Sequence, residues 1–403
     1  MIRPVAIGST LDRLGNPIRQ IAISPSRPCL TLARFTKWRK LPKRVRCKLP
    51  CFPGVPGIGS SRFSTVSNKS LKYHIIFAIA PMIDWTDRHC RFFHRQLTRH
   101  ALLYTEMIVA DAILHGDREK LLGFDDCEHP VALQLGGSNP GKLAQAARIG
   151  AEFGYDEINL NVGCPSDRVQ SGTFGACLMR TPKLVGECVA AMKGNVSVPV
   201  TVKCRIGVDD QDPEEALPAL AEAVWAAGAD ALWVHARKAW LEGLSPRQNR
   251  EVPPLDYALV SQIKQENPNR FIGLNGGIEN LNQVRKAIGS NGFALDGAMM
   301  GRAAYQNPQL LREVDQMLFG DPSLPVEWAA LIAAMQDYAA NHIEMGGRLH
   351  QVTRHMVGLF HGLPGARKWR QILSVEGVKP GARPEVIAEA FDAVNLDAVD
   401  AAA

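Results

Sequence analysis

Short apolar segments rich in β-branched residues recur along the chain from about residue 75, and helical patterns separate most of them. The eight predicted strands are IIFAIAPM, ALLYTEM, PVALQLGG, EINLNVGCP, VPVTVKCR, ALWVHAR, FIGLNGG and LDGAMMGR. Eight strand–helix units within about 230 residues predict an α/β fold, a (β/α)8 TIM barrel. A doubly wound open sheet is the alternative, but the GxGxxG motif that usually follows its first strand is missing.

The pattern changes after about residue 304 and predicts a second, smaller domain. In the segment VEWAALIAAMQDYAANHIE, one helical face carries Trp328, Leu331, Ile332, Met335 and Tyr338. We therefore predict three parts: a basic extension over residues 1–73, a barrel over residues 74–304, and a C-terminal helical-bundle domain over residues 305–403.

The composition is that of a soluble globular protein, with 46% hydrophobic and 21% charged residues. No apolar run reaches the roughly 18 residues that a membrane span needs. The nine cysteines form no regular pattern, and an odd number cannot all pair internally, which favours a reducing compartment. We predict a cytoplasmic location and no metal site, since Cys47 and Cys51 have no second ligand pair.

The formal charge of +6 is distributed unevenly. Residues 1–73 hold 15 Lys and Arg against one acid, Asp12, whereas the rest of the chain holds 31 basic and 39 acidic side chains. The extension is rich in Pro, Gly, Ser and Arg, so we expect it to be disordered. It is a targeting peptide for an organelle, a basic RNA-binding arm, or upstream sequence translated because the start was assigned too early; the last is favoured.

The carboxyl ends of the strands carry the chemistry in a barrel of this type. Nearly every predicted end is polar or glycine: Pro81 and Met82, Glu106, Gln134, Asn161 to Cys164, Lys203 and Arg205, His235 to Lys238, Asn275 to Gly277, and Gly301 with Arg302. A single polar residue at a strand end is commonly a solvated cap. The whole set together indicates one functional site.

The last two strand ends predict a phosphate-bearing ligand. NGGI and MGRA place Gly276, Gly277 and Gly301 in the loops that usually bind phosphate in this barrel. Arg302 adds a fork of N–H donors suited to an anion. The alternative is that these glycines only form tight turns.

Several segments together resemble the tRNA-dihydrouridine synthases, most closely the A-type branch. They are APMIDWTDRHCR, LLYTEM, PVALQLGG, YDEINLNVGCPSDRV, GACLM, VKCRIG, HARKAWLEGLSP, NGGI and GRAAYQNP, and they cover about residues 75–380. The resemblance implies an FMN-dependent enzyme that uses NADPH to reduce the C5–C6 double bond of uridines 20 and 20a in the D-loop of tRNA. It implies tRNA as the partner, and no protein partner is predicted.

The resemblance also implies roles for individual residues. Cys164 corresponds to the proton donor, and Asn161 to a residue near the target uracil. Flavin contacts are expected for Pro81, Met82, Gln134, Lys203, His235, Asn275, Gly276, Gly277, Gly301 and Arg302. Substrate or tRNA contacts are expected for Asn161, Arg205, Arg237, Lys238, Arg354, Arg367 and Arg370.

The residue types agree with this chemistry. Reduction of the uracil ring needs an acid that delivers a proton, and a cysteine thiol is mostly protonated at neutral pH. Lys203 can offset negative charge on a reduced flavin. The alternative for Cys164 is a buried inert thiol. We interpret Cys90, Cys127, Cys177, Cys188 and Cys204 as core or surface fillers.

A uracil in folded tRNA must be flipped out to reach a barrel mouth, so the enzyme needs contacts to the surrounding backbone. Residues 346–383 hold seven Lys or Arg against one acid, Glu376. The predicted phosphate-binding surface contains Arg354, Arg367, Lys368 and Arg370, with His355 and His361 among them. A solvated basic face is the alternative.

Two other functions stay open. A flavin oxidoreductase that acts on a free pyrimidine would share the barrel and the cysteine without needing a basic helical domain. A non-catalytic RNA-binding or folding protein would not need the flavin positions.

Overall fold

The computed structural model describes residues 76–165, 174–289 and 291–396. The predicted extension over residues 1–73 lies outside the described residues. Its boundary, and the cytoplasmic location, stay predictions.

Eight parallel strands close into a barrel in chain order. They are β1 Phe77–Ile79, β2 Leu102–Val109, β3 Val131–Gly136, β4 Glu157–Val162, β5 Val200–Arg205, β6 Ala231–His235, β7 Ile272–Asn275 and β8 Gly297–Met300. Seven of them lie within the predicted segments, and β2 extends two residues beyond its segment, to Val109. The predicted TIM barrel is confirmed. The open-sheet alternative is wrong because β8 pairs with β1, with Met299 opposite Ala78.

Helices follow the strands around the barrel and continue beyond it. They are α1 Arg88–Leu97, α2 Ala110–His115, α3 Arg118–Leu122, α4 Pro140–Phe153, α5 Pro182–Lys193, α6 Pro213–Ala226, α7 Tyr257–Glu266, α8 Leu281–Ile288, α9 Arg302–Gln306, α10 Val314–Phe319, α11 Trp328–Glu344, α12 Leu349–Thr353, α13 Ala366–Val375 and α14 Val386–Phe391. Short 3₁₀ helices span Asp126–Glu128, Gly175–Arg180, Gln248–Arg250 and Pro308–Glu313. Within the described part of the chain, no helix is long and apolar enough to cross a membrane.

Successive residues of a strand point to opposite faces, which divides the buried side chains into two sets. The larger set packs between the barrel and its helices. A smaller apolar cluster consists of Ala78, Ala80, Leu102, Tyr104, Ala132, Trp233 and Met299. Gly273 permits this packing because a Cβ there would lie 2.2 Å from the Trp233 ring.

The C-terminal helices pack on α1 through the predicted apolar face of α11. Leu331, Ile332 and Met335 are buried, and the Tyr338 ring stacks on Phe92 at a centroid distance of 3.9 Å. The predicted helical face is therefore confirmed.

Acid is expected to destabilise the fold through His94, which is fully buried in α1. Burial, with Arg95 and His355 nearby, lowers the pKa of His94 to about 3. An unfolded histidine has a pKa near ~6.5. Below that pH the unfolded chain therefore binds a proton at this residue, whereas the folded chain does not. We expect this residue to lower the free energy of unfolding by about 2 kcal/mol between pH 7 and pH 5.

Urea unfolding of the wild type and of His94→Gln at both pH values measures this effect. The variant should lose less stability on acidification. His115→Gln, at a mostly exposed position, is the control and should follow the wild type. Equal pH dependence of His94→Gln and the wild type would contradict the assignment.

Candidate active site at the barrel mouth

The closed barrel brings the predicted strand ends together. Parallel pairing places His235 opposite Arg205 on one side and opposite Asn275 on the other. Lys203 lies opposite Asn161 on β4. Residues scattered over more than a hundred positions of the sequence therefore line one mouth.

Cationic side chains dominate the electrostatics of this mouth. Lys203 Nζ donates to Asn275 Oδ1 at 2.9 Å, and burial together with Arg205 lowers the pKa of Lys203 to about 8. Neither Lys203 nor Arg205 forms an ion pair with any carboxylate among the described residues. Burial and these two charges lower the pKa of His235 far below its usual value, so its imidazole is neutral. The mouth is therefore suited to a ligand that carries negative charge.

Arg205 fixes the loops around the mouth. Its side chain is 3% exposed and donates to the carbonyl oxygens of Gly163, Lys238 and Asn249 at 3.2, 3.2 and 2.9 Å. This placement makes Arg205 an anchor of the β4 and β6 loops, and the predicted contact of Arg205 with substrate or tRNA stays a prediction.

Cys164 lies directly after β4 and is partly exposed. Its backbone N–H donates to Asn161 Oδ1 at 3.0 Å, and its carbonyl accepts from Ala176 N at 2.9 Å. The thiol lies close enough to Arg205 and Lys203 to interact with both electrostatically. Hydrogen bonds to both its backbone N–H and its carbonyl thus fix Cys164 at the edge of the cationic mouth.

The glycines after β7 adopt a backbone that other residues avoid. Gly276 and Gly277 have φ of 104° and 68°. A Cβ on Gly276 would lie 2.5 Å from the His235 ring, and one on Gly277 would lie 2.7 Å from the Tyr257 hydroxyl. Among the described residues, none accepts a hydrogen bond from either glycine amide. These N–H groups are available to an anion.

The loop after β8 completes the mouth. A Cβ built on Gly301 would lie 3.8 Å from Met82 Sδ, which places the ends of β8 and β1 side by side. Arg302 pairs with Glu251 at 2.7 Å. Because both side chains are substantially exposed, this ion pair contributes little and exchanges readily for another anion.

Comparison with known proteins identifies the family. The pattern described as "Dihydrouridine synthase (Dus)" matches residues 78–394. A protein of Shewanella oneidensis named tRNA-dihydrouridine(20/20a) synthase is 54% identical over 332 residues, which is 82% of this chain and 98% of that protein. Proteins of the same name from Vibrio cholerae and Xanthomonas axonopodis are 53% and 52% identical, covering 78% and 81% of this chain and 95% and 96% of their own lengths.

This chain belongs to the dihydrouridine synthase family. The resemblance inferred from the sequence is confirmed, and with it the prediction of an enzyme. The predicted site residues fall into two groups. The barrel group meets at the mouth, whereas Arg354 directly follows α12, and Arg367 and Arg370 lie on α13.

The C-terminal group is not uniform. Arg367 and Arg370 are exposed on α13. Arg354 pairs with Asp87, the N-cap of α1, at 2.5 Å, so part of its charge is already neutralised. His355 was placed on the same surface but is fully buried, with Nε2 3.0 Å from Asp87. The prediction that His355 belongs to this surface is therefore wrong, because its side chain points inward in the turn after α12, next to the buried Met356.

Asn249 also shapes the mouth, although the sequence does not predict this role. Asn249 is fully buried, donates to the carbonyl oxygen of Trp240 at 2.8 Å and accepts from the Trp240 amide at 2.7 Å. It thereby fixes the loop that carries Arg237 and Lys238. The Arg237 side chain donates to Pro253 O, and Lys238 Nζ lies 5.6 Å from the Trp240 ring. A lone asparagine in a polar loop gives no sequence signal for such a role.

Proposed function

We propose that this enzyme reduces the C5–C6 double bond of uridines 20 and 20a in the D-loop of tRNA, with FMN as cofactor, NADPH as reductant and Cys164 as proton donor. The single observation that carries the proposal is the placement of Cys164 at the edge of a mouth in which Lys203 and Arg205 form no ion pair with a carboxylate of the described residues. The names of the relatives support the choice of tRNA and of positions 20 and 20a.

The residues present fit FMN. Gly276 and Gly277 offer backbone N–H groups that no described residue accepts, and Arg302 offers a guanidinium whose ion pair with Glu251 is exposed. Lys203 adds a partly buried positive charge, and His235 a neutral ring. When bound, FMN supplies the electron pair that NADPH provides for reducing the uracil ring.

The side chains of this protein supply the rest of the chemistry. Cys164 would deliver a proton from Sγ to C5 of the uracil ring. The proton would arrive on the face opposite the one at which C6 receives a hydride. Asn161 holds the backbone of Cys164 in place through its Oδ1. Lys203 would balance negative charge that develops on the cofactor.

A flipped uridine needs support from the surrounding tRNA backbone. The exposed residues Arg367, Lys368 and Arg370 on α13 offer phosphate contacts. An oxidoreductase for a free pyrimidine would have no use for them.

We expect the double variant Arg367→Ala/Arg370→Ala to bind tRNA about 5- to 30-fold more weakly, because each lost phosphate contact contributes about 1 kcal/mol. FMN binding should be unchanged because α13 lies outside the mouth. Arg354 is left intact because of its ion pair with Asp87. Filter binding over a salt series and flavin absorbance measure the two quantities.

The matched control is Lys183→Ala/Arg285→Ala, which removes the same charge from exposed positions on α5 and α8. Its tRNA affinity should stay near that of the wild type. Equal weakening in both double variants would mean that bulk charge, and not the α13 surface, binds tRNA. Loss of FMN from the α13 variant would place that helix at the cofactor site.

The proposed function is tested by incubating the protein with FMN, NADPH and unmodified tRNA and mapping dihydrouridine by position. Product is expected at positions 20 and 20a. Product elsewhere in the tRNA would overturn the assignment of position. Free uridine that is reduced as efficiently as tRNA in a competition assay would favour the pyrimidine oxidoreductase instead.

A further inference from the structure

A chain of side-chain hydrogen bonds runs through the barrel interior from the first residue of β4 to the mouth. Glu157, Asn159 and Asn161 alternate along β4 and face inward, with exposures of 2%, 0% and 8%. A carboxylate and two amides on one buried strand face need partners, since an unpaired buried polar group costs about 1–3 kcal/mol.

Each group in the chain donates to the next one toward Glu157. The Thr201 hydroxyl donates to Glu157 Oε1 at 2.5 Å, and Asn159 Nδ2 donates to Thr201 Oγ1 at 2.7 Å. Gln134 Nε2 donates to Asn159 Oδ1 at 2.8 Å, and Asn161 Nδ2 donates to Gln134 Oε1 at 2.7 Å. Four strands, β2 to β5, contribute because the Tyr104 hydroxyl also donates to Glu157.

The direction of this chain is fixed from both ends. A carboxylate oxygen only accepts, so the Thr201 hydroxyl must point its hydrogen at Glu157. A backbone N–H only donates, so Asn161 must turn its oxygen toward the amides of Gly163 and Cys164, at 3.1 and 3.0 Å. If any side-chain amide between these ends were flipped, an N–H group would face another N–H group, or an oxygen would face another oxygen.

The fixed direction leaves N–H donors for a ligand. Each primary amide has two hydrogens, and one of each is used within the chain. In the described part of the protein, no group accepts the second hydrogen of Gln134 or Asn161, although Gln134 is 1% exposed. Carbonyl oxygens and unprotonated ring nitrogens, as in a flavin or a uracil, would satisfy these hydrogens.

We propose that Glu157, Thr201 and Asn159 are positioning residues of the flavin site, which act through Gln134 and Asn161 so that both amides present N–H donors to the bound ring. The inference rests on the proposed function and deepens it. Reduction adds negative charge to a flavin, and hydrogen bonds to charged acceptors are about twice as strong as neutral ones. Fixed donors therefore stabilise the reduced cofactor more than the oxidised one.

Thr201→Val tests the inference because it removes the hydroxyl that links Glu157 to Asn159 and keeps the shape of the side chain. We expect the variant to bind reduced FMN about tenfold more weakly, and oxidised FMN less than threefold more weakly. The midpoint potential of bound FMN should fall accordingly. A reductive titration against a reference dye, together with the Kd of oxidised FMN, gives both affinities.

Three further variants separate positioning from loss of structure. Val202→Ala lies next to Thr201 on the opposite, outward face of β5 and weakens packing without touching the chain. It should leave the potential unchanged. Thr201→Ser restores the hydroxyl and should restore the potential. Tyr104→Phe removes a second donor from Glu157 and should lower the potential in the same direction, which provides a test even if Thr201→Val does not fold.

The outcomes are distinguishable. Equal weakening of both redox forms in Thr201→Val, or the same potential shift in Val202→Ala, would overturn the positioning role while leaving the proposed function intact. Wild-type protein that binds no FMN in either form would overturn the proposed function and this inference with it.

Discussion

Cys164→Ala is expected to slow the transfer of reducing equivalents from enzyme-bound reduced flavin to tRNA by about 10²-fold to 10⁴-fold, the usual contribution of a positioned general acid. Consumption of NADPH in the absence of tRNA should proceed at nearly the normal rate, because it requires no proton at the uracil. The affinity for tRNA should change little, since the backbone N–H that binds Asn161 is present in alanine too. Only the second half of the reaction should fail.

Stopped-flow absorbance of the bound flavin measures both halves in one preparation. Cys177→Ala is the control, because that thiol is also partly buried and donates to Phe174 O at 3.1 Å, in the short helix after the β4 loop. It should behave like the wild type. If Cys164→Ala reacts with tRNA at the normal rate, the acid is another group, with His235 or a water held by Arg205 as the next candidates.

Arg91→Met is expected to lower the free energy of unfolding by about 3–5 kcal/mol, because it leaves a buried carboxylate without its partner. Arg91 Nε lies 2.7 Å from Glu128 Oε2, and the two side chains are 5% and 1% exposed. Arg91 also donates to Thr86 O at 3.0 Å, in the loop after β1 that contributes to the mouth. The same substitution is therefore expected to loosen the proposed flavin site.

Urea unfolding measures this loss, and two controls define its cause. Arg148→Met breaks an exposed ion pair with Glu152, also at 2.7 Å, and should cost less than about 1 kcal/mol. The double variant Arg91→Met/Glu128→Gln should recover part of the stability, since the uncompensated charge is removed and an oxygen remains for the Asp125 amide. A loss below about 1 kcal/mol in Arg91→Met would show that the buried pair is not needed.

The sequence predicted the strands and the position of the cysteine because both signals are local. Eight apolar segments of strand length, separated by helical periods, specify a barrel with few alternatives. Glu157, Asn159 and Asn161 occupy alternate positions before Cys164, and a strand places such residues on one face. The pattern did not reveal what these groups bind.

The partners of the arginine side chains could not be predicted from local sequence signals. Arg205, Arg302 and Arg354 look alike in the sequence, yet the first is a buried anchor and the other two are ion-paired. Their partners come from elsewhere in the chain: Glu251 is 51 residues from Arg302, and Asp87 is 267 residues from Arg354.

The sequence by itself determined the order of strands and helices, the family and the set of groups that can carry the chemistry. Periodicity and residue type involve only a few neighbouring positions, so they can be recognised from the sequence alone. Only the tertiary structure decided which charges are compensated, which amides have a fixed direction, and which histidine is buried. Those properties depend on partners that folding brings together from distant parts of the sequence. The free energy of a buried polar group depends on its partner more than on its own identity.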